Sequence, residues 1–428
     1  MRFDLKYGRG VVPFETPSSW TISHIDHGRP VARAFEETLL ASLAEPYGSA
    51  PLDEWIDGKD VLIIVSDVTR YTGAELILPV LQKRFLRHAA RARILFALGN
   101  HRKQTEDERR SLVSDEVYET ISCTDHDCFD DKALSFVGAT PSGLKIKVNS
   151  LLLEHDATIV TGAISFHYLA GFGGGRKCII PGVAGYQTIL DAHRRVFNRE
   201  KPGKHERAQT GVLEGNPMHE AIMEGIALID KPLFLINTIF DDRKRLLNIC
   251  SGDMRQSHET GCAWYYDHFS QTVAEKGDVV VVSAGGFPKD IDFIQTHKAL
   301  EHAKHAAKDG GSIILLGQCE DGIGNAYFMP WFDYPSVEAM EPFVRESDKV
   351  YAQTAYSTRI KTERYNVILV SDLDADQVRK MGMTPARTLE EALCSINRDG
   401  DLLCHVIPEG SKTLVREKAQ EEELTTGP

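Results

Sequence analysis

Short, nearly unbroken apolar runs recur along this chain, and they restrict its fold more than any other feature. They are Val61 to Val65 (VLIIV), Ala92 to Leu98 (ARILFAL), Ala157 to Val160, Leu233 to Ile236, Val279 to Ser283 (VVVVS), Ser312 to Gly317, Tyr365 to Ser371 and Cys404 to Pro408. A run without alternating polar residues is buried on both faces, as a parallel strand between two helix layers is. Between the runs lie stretches of helical periodicity: Pro30 to Leu43, Gly73 to Ala90 with Pro79 inside it, a charged stretch from Gln104, Glu214 to Ile229, Asp290 to Ala306, Val337 to Glu346 and Ala375 to Leu393. Residues 2–14 read as a hairpin turning at Gly8 to Gly10, and residues 250–275 as a connecting region packed across a domain boundary. The pattern predicts an α/β fold of two domains, each a mostly parallel sheet flanked by helices, with the active site in the interdomain cleft. With 428 residues, 42% of them hydrophobic, the chain can build two cores. The expected division is residues 1–275, joined by the tail 409–428, and residues 276–408.

In open α/β sheets, ligands bind beyond the carboxyl ends of the strands. Four polar clusters fall there: Ser66 to Arg70 (SDVTR), Gly99 to Arg102 (GNHR), His167 to Lys177 and Gly285 to Lys298. The third belongs to the densest stretch of the chain, Thr161 to Asn198. It holds His167, the glycines Gly171, Gly173, Gly174 and Gly175, the basic pair Arg176 and Lys177, a Pro181-Gly182 turn and an amphipathic helix carrying His193. Glycines let backbone amides approach and cradle an anion, and a lysine beside them neutralises a phosphate or acts as a nucleophile. The loop is neither a dinucleotide fingerprint nor a Walker A motif, because the final small residue of GxGxxG is missing and Arg176 and Cys178 stand where GK[ST] needs other residues. His101, His167 and His193 are spaced too widely for the sequence to decide whether they meet as zinc ligands. His219 and His297 read as ordinary helical histidines, and Gln295 and Lys298 share one helical face.

Lys and Arg number 49 against 62 Asp and Glu, a net charge of −13, which argues against a nucleic-acid partner but not against a small anion in a local basic pocket. None of the eight cysteines forms a CxxC pair, so they read as buried thiols of a reducing compartment. No stretch reaches the roughly 18 apolar residues of a membrane helix, and the first residues are not a signal segment. The expectation is a cytoplasmic protein without a membrane partner.

Taken together, SDVTR (66–70), GNHR (99–102), FHYLAGFGGGRKCIIPG (166–182), His193 and GFPKDIDFIQTHK (286–298) resemble the lactate racemase family that uses a nickel-pincer nucleotide. The resemblance spans essentially the whole chain. It implies a pyridinium-3,5-bisthiocarboxylic acid mononucleotide carrying nickel, joined covalently to Lys177, with His193 as the protein's nickel ligand. It also implies proton shuttling by His101 and His167, and nucleotide or phosphate contacts from Asp67 and Arg70 beside the loop of Gly173, Gly174 and Gly175. Gln295 and Lys298 match groups that hold the substrate carboxylate or hydroxyl. The implied reaction inverts C2 of a 2-hydroxy acid through hydride transfer to and from the cofactor. The implied partners are a small 2-hydroxy acid and the proteins that build and load the cofactor, and a homo-oligomer is compatible with the family. Tyr71, Lys103, Ser165-Phe166 and Ile294 depart from the family's usual residues and bear on which 2-hydroxy acid fits. A nicotinamide-dependent 2-hydroxy acid dehydrogenase, a zinc hydrolase and a non-catalytic nickel- or nucleotide-binding module are the alternative readings. Trp264 to Phe269 and Tyr327 to Tyr334 read equally as pocket walls or as core.

Overall fold

The computed structural model describes residues 1–349, 351–396 and 400–419. The chain divides into two compact units. One comprises Pro30–Asn198 and Lys204–Asp267, and the other Met1–Arg29, Arg199–Gly203 and His268 onward.

The first unit is built on six strands in the order Leu246–Gly252, Leu233–Phe240, Ala157–Ala163, Asp60–Ser66, Arg91–Ala97, Ser122–Asp125. Every neighbouring pair is parallel except the first. Val61 through Val65 are wholly buried, which explains the unbroken apolar run: both faces of this strand are covered. The chain leaves Asp60–Ser66 towards Arg91–Ala97 on one side, and Ala157–Ala163 lies on the other. The order therefore reverses between Asp60–Ser66 and Ala157–Ala163, and the loops that follow these two strands separate at their carboxyl ends. The helices have local start signals. Thr105 and Glu108 form a capping box ahead of Glu106–Val113, and the Asn216 side chain caps Pro217–Ala227.

The second unit has an all-parallel sheet in the order Thr384–Ala386, Asn366–Val370, Ala307–Leu316, Gly277–Ser283, Leu403–Ile407, Thr21–His24. Its last strand comes from the opposite end of the chain. The hairpin Arg2–Tyr7 and Gly10–Glu15 forms as expected, and its Leu5 and Phe14 are buried with Trp20, Val279, Val281 and Val406 in one core. The expected division thus needs correction at both ends. Residues 1–29 complete the C-terminal sheet, and Leu414–Glu417 pairs with Ser270–Val273 of that same unit, so the described part of the tail does not join the N-terminal one. Residues 420–428 of the tail lie outside the described residues.

Three helical expectations also change. Gln256–Phe269, read as a connecting region, is a helix. The stretch from Ala375 splits into Ala375–Lys380 and Leu389–Cys394 around the edge strand Thr384–Ala386, where Pro385 is tolerated because an edge strand leaves one side unpaired. Tyr351–Arg364 is a helix that the apolar pattern hid, because Gln353, Thr354, Ser357, Thr358 and Lys361 on it are buried polar residues. Tyr265, Phe269, Phe328 and Phe332 are core residues, whereas Tyr327 is exposed. Among the described residues no helix is long and apolar enough to cross a membrane.

Phe14→Ala is expected to cost about 3–5 kcal/mol through the cavity it opens. Hydrogen exchange followed by mass spectrometry checks the assignment: exchange should accelerate in Gly277–Ser283 and Leu403–Ile407 and stay unchanged in Asp60–Ser66.

Candidate active site

Three loops at the carboxyl ends of adjacent strands carry the candidate residues. The loop after Asp60–Ser66 bears Asp67 and Arg70, that after Arg91–Ala97 bears His101, and that after Ala157–Ala163 bears His167, the glycines and Lys177. The last loop returns close against its own strand. A Cβ on Gly162 would lie 2.2 Å from the backbone nitrogen of Gly175, and one on Gly175 would meet Leu235 at 2.4 Å. Gly174 has φ +105°, and a Cβ on it would lie 2.8 Å from the His258 ring. Glycine is required here for contact between backbones. The anion-cradle expectation fares differently. The Gly173 N–H donates to the Ser165 carbonyl and the Gly175 N–H to Asn237 Oδ1, so two of the three amides are already engaged inside the protein.

The basic pair divides its work. Arg176 is fully buried and points inward. Its guanidinium donates to the carbonyls of Ala170, Phe172 and Gly173 and to His219 Nδ1, so it ties the loop down rather than facing a phosphate. Burial lowers it to about 10. Beneath it lies a polar core that the sequence reading missed: His219, His258, Asn237 and Cys262, with the Cys262 thiol 3.3 Å from His258 Nε2. Its sequence signal was available, because His258, Cys262, Tyr265 and Phe269 recur at helical spacing and are all buried. His219 is thus a core histidine, as expected, and His297 is buried too.

Lys177 points the other way. Its Nζ lies 2.7 Å from His167 Nε2, while His167 Nδ1 accepts from the backbone N–H of Leu169 and Ala170 at 3.2 and 3.1 Å. Burial first, then the charges of Arg70 and Arg176, hold the Lys177 amine well below the usual lysine range. Burial, then Lys177, Arg70 and His193, likewise lower His167. His193 sits in the last turn of Tyr186–Arg194 and donates from Nδ1 to the Ile189 carbonyl at 2.7 Å, which puts its lone pair on Nε2. Burial, and then the charge of Lys177, bring it down to about 4.

Asp67, expected near the nucleotide, is paired within the protein. It is buried, and Oδ2 accepts from His101 Nδ1 while Oδ1 accepts from the Thr69 hydroxyl and N–H. Burial raises this carboxyl, but donation from His101 and Thr69 outweighs it, so it lies below its usual range. His101 is half exposed, with its Nε2 lone pair as the basic atom. Arg70 is exposed, and its charge acts on His167, Lys177 and His193. Gln295 and Lys298 lie on Phe293–Ala303 of the other unit, where Lys298 Nζ donates to Gln295 Oε1 at 2.6 Å. Among the described residues no three His, Cys, Asp or Glu side chains gather as a metal-binding group, which removes the basis for the zinc reading of His101, His167 and His193.

Residues 7–204 match the lactate racemase N-terminal domain and residues 272–415 the lactate racemase C-terminal domain. The chain is 31% identical to lactate racemase of Thermoanaerobacterium thermosaccharolyticum, over 97% of this chain and 99% of the relative. It is 32% identical to lactate racemase of Lactiplantibacillus plantarum, over 89% and 91%. It also superposes on the lactate racemase apoprotein from T. thermosaccharolyticum with a TM-score of 0.88 at 30% identity, covering 97% of this chain and all of that one. A racemase-class enzyme built from α/β units is what the fold and these matches define. The chain belongs to the lactate racemase family.

Gly162→Ala is expected to destabilise the protein by about 1–3 kcal/mol, because the added carbon meets backbone. Gly173→Ala is expected to be tolerated, since its nearest neighbours lie at 3.4 Å; thermal unfolding of the two variants makes the comparison. Acid is the second test. An unfolded His193 takes up its proton near pH 6.5 and the folded one only near 4, so stability should fall as the pH drops through that window. His193→Gln should flatten part of that slope in urea titrations.

Proposed function

We propose that this chain is a nickel-pincer nucleotide-dependent racemase or epimerase of a small 2-hydroxy acid. The observation that carries the proposal is the 2.7 Å contact between Lys177 Nζ and His167 Nε2, at the end of the same sheet as the Asp67–His101 pair. The residues fit the cofactor. A group that brings its own sulfur and carbon donors needs one protein ligand, not three, and a neutral imidazole suits nickel in a planar set. His193, uncharged at neutral pH with its lone pair on Nε2, supplies that ligand, and Lys177 supplies the amine for covalent attachment. Arg70 is the cation for the nucleotide phosphate.

The cofactor, when bound, supplies a reversible acceptor for the C2 hydride. The protein's own groups manage the proton and the pose. Asp67 fixes His101 with Nδ1–H inward, so Nε2 takes the substrate hydroxyl proton. To return a proton to the carbonyl oxygen, His167 takes up a second proton on Nδ1 from solvent, displacing the backbone N–H groups of Leu169 and Ala170, then delivers Nε2–H and is left neutral. Reversal exchanges these roles. Gln295 and Lys298 are proposed as the groups that hold the substrate carboxylate, on the strength of the family resemblance. The dehydrogenase alternative is weakened because the amides of Gly173 and Gly175 are not available to a pyrophosphate. A reducing cytoplasmic setting accords with eight free cysteines.

The test is to load the protein with cofactor by co-expressing its biosynthetic proteins, then follow a panel of chiral 2-hydroxy acids by chiral chromatography. Racemisation of at least one acid and a covalent mass increase on Lys177 are expected. His101→Asn and His167→Asn should each lower kcat by about 10²–10⁴. An unmodified Lys177 would end the covalent-attachment reading, and extensive solvent deuterium at C2 during turnover the hydride one.

A further inference from the structure

Lys177 and His167 have a relationship that precedes any ligand. We propose that His167 primes Lys177: by donating its Nε2–H into the amine's lone pair, it holds Lys177 as an uncharged nucleophile before the cofactor arrives. The purpose of this priming rests on the function proposed above, but the donor count behind it does not.

The count has few solutions. A neutral imidazole has one nitrogen that donates and one that accepts. Nδ1 receives two backbone N–H groups, from Leu169 and Ala170, so it carries the lone pair. The ring proton is therefore on Nε2, aimed at Nζ 2.7 Å away. An ammonium has three protons and no lone pair, so it would set hydrogen against hydrogen along that line. Moving the imidazole proton to Nδ1 would instead set it against two N–H groups. Only the neutral amine facing Nε2–H avoids setting one donor against another. The surroundings agree. Among the described residues Lys177 makes no ion pair, and its charged neighbours Arg70 and Arg176 are cations. A buried, unpaired ammonium is costly, and losing the proton removes that cost.

A neutral amine attacks activated carboxyl or thiocarboxyl carbon. The N–C bond forms, the leaving group departs with the electron pair of its bond to carbon, and the amine's proton passes to solvent. Acylation also takes the lone pair into the new amide, so Nζ no longer accepts well and His167 Nε2–H is released. Loading therefore releases His167 from the amine, so that its ring can take up the second proton it needs to act as an acid.

Competitive labelling of the cofactor-free chain tests this. Trace acetic anhydride is applied from pH 6 to 10, and acetylation of Lys177 is mapped by peptide mass spectrometry against the exposed Lys132. Lys177 should reach its plateau at least about one pH unit before Lys132 does. His167→Phe should move the Lys177 curve upward by roughly one unit, the scale of one lost hydrogen bond, while His167→Gln, which can still donate, should keep it low. Lys177 tracking Lys132 in the unaltered protein, or a His167→Phe curve that stays in place, overturns the proposal. Should His167→Phe fail to fold, nitrogen-15 NMR of the unaltered chain decides. A pyrrole-type Nε2 and a pyridine-type Nδ1 at pH 7 support priming, and the opposite tautomer or an imidazolium refutes it. Because no cofactor is present, failure here is separable from failure of racemisation by the loaded enzyme.

Discussion

The candidate site depends on a close backbone approach between Gly162, near the end of one strand, and Gly175, where the following loop turns back. With no side chain on either residue, the loop can lie directly on the sheet. The short helix Arg176–Ile179 begins there, and its first two residues face opposite ways. Arg176 goes inward to three carbonyls and a histidine, and Lys177 goes outward to His167. Any side chain at 162 would move both at once. Close packing at one point therefore sets the chemistry at another.

The electrostatic balance of the site is unusual. Lys177, Arg70, Arg176, His167 and His193 act on one another, and the nearby carboxylate, Asp67, is committed to His101. Burial disfavours charge that has no partner. The lysine and the two histidines respond by shedding protons instead of recruiting counter-ions. The site thereby accumulates nitrogen lone pairs, which is what covalent attachment, metal ligation and proton transfer each require. Asp67 stands apart from that group, since its carboxylate fixes which nitrogen of His101 is basic.

Much of the architecture was legible because it follows from apolar runs. Val61 to Val65 and Val279 to Ser283 could only be central strands, and the loops after them held the candidate residues. Tertiary pairing was not legible. Nothing local in Thr21–His24 says that it will lie beside Leu403–Ile407, and the paired carbonyls of Arg176 are invisible in the string GGGRK. Tyr351–Arg364 escaped because its buried face is polar, with Lys361 and Glu301 paired inside the core, and an apolar pattern cannot report that. The family resemblance supplied the site residues, and the geometry added the pairing of Asp67 with His101 and the inward course of Arg176.

The placement of Thr21–His24 also governs when its unit can fold. Thr21–His24 is synthesised long before its partner strand Leu403–Ile407. At about 5–20 residues per second, the leading segment waits on the order of tens of seconds for the sheet it completes. The unit of Pro30–Asn198 and Lys204–Asp267 is already synthesised by then and can fold during elongation. During synthesis Thr21–His24 therefore stays unpaired while the other unit can already close, and an unpaired strand edge is open to wrong pairing.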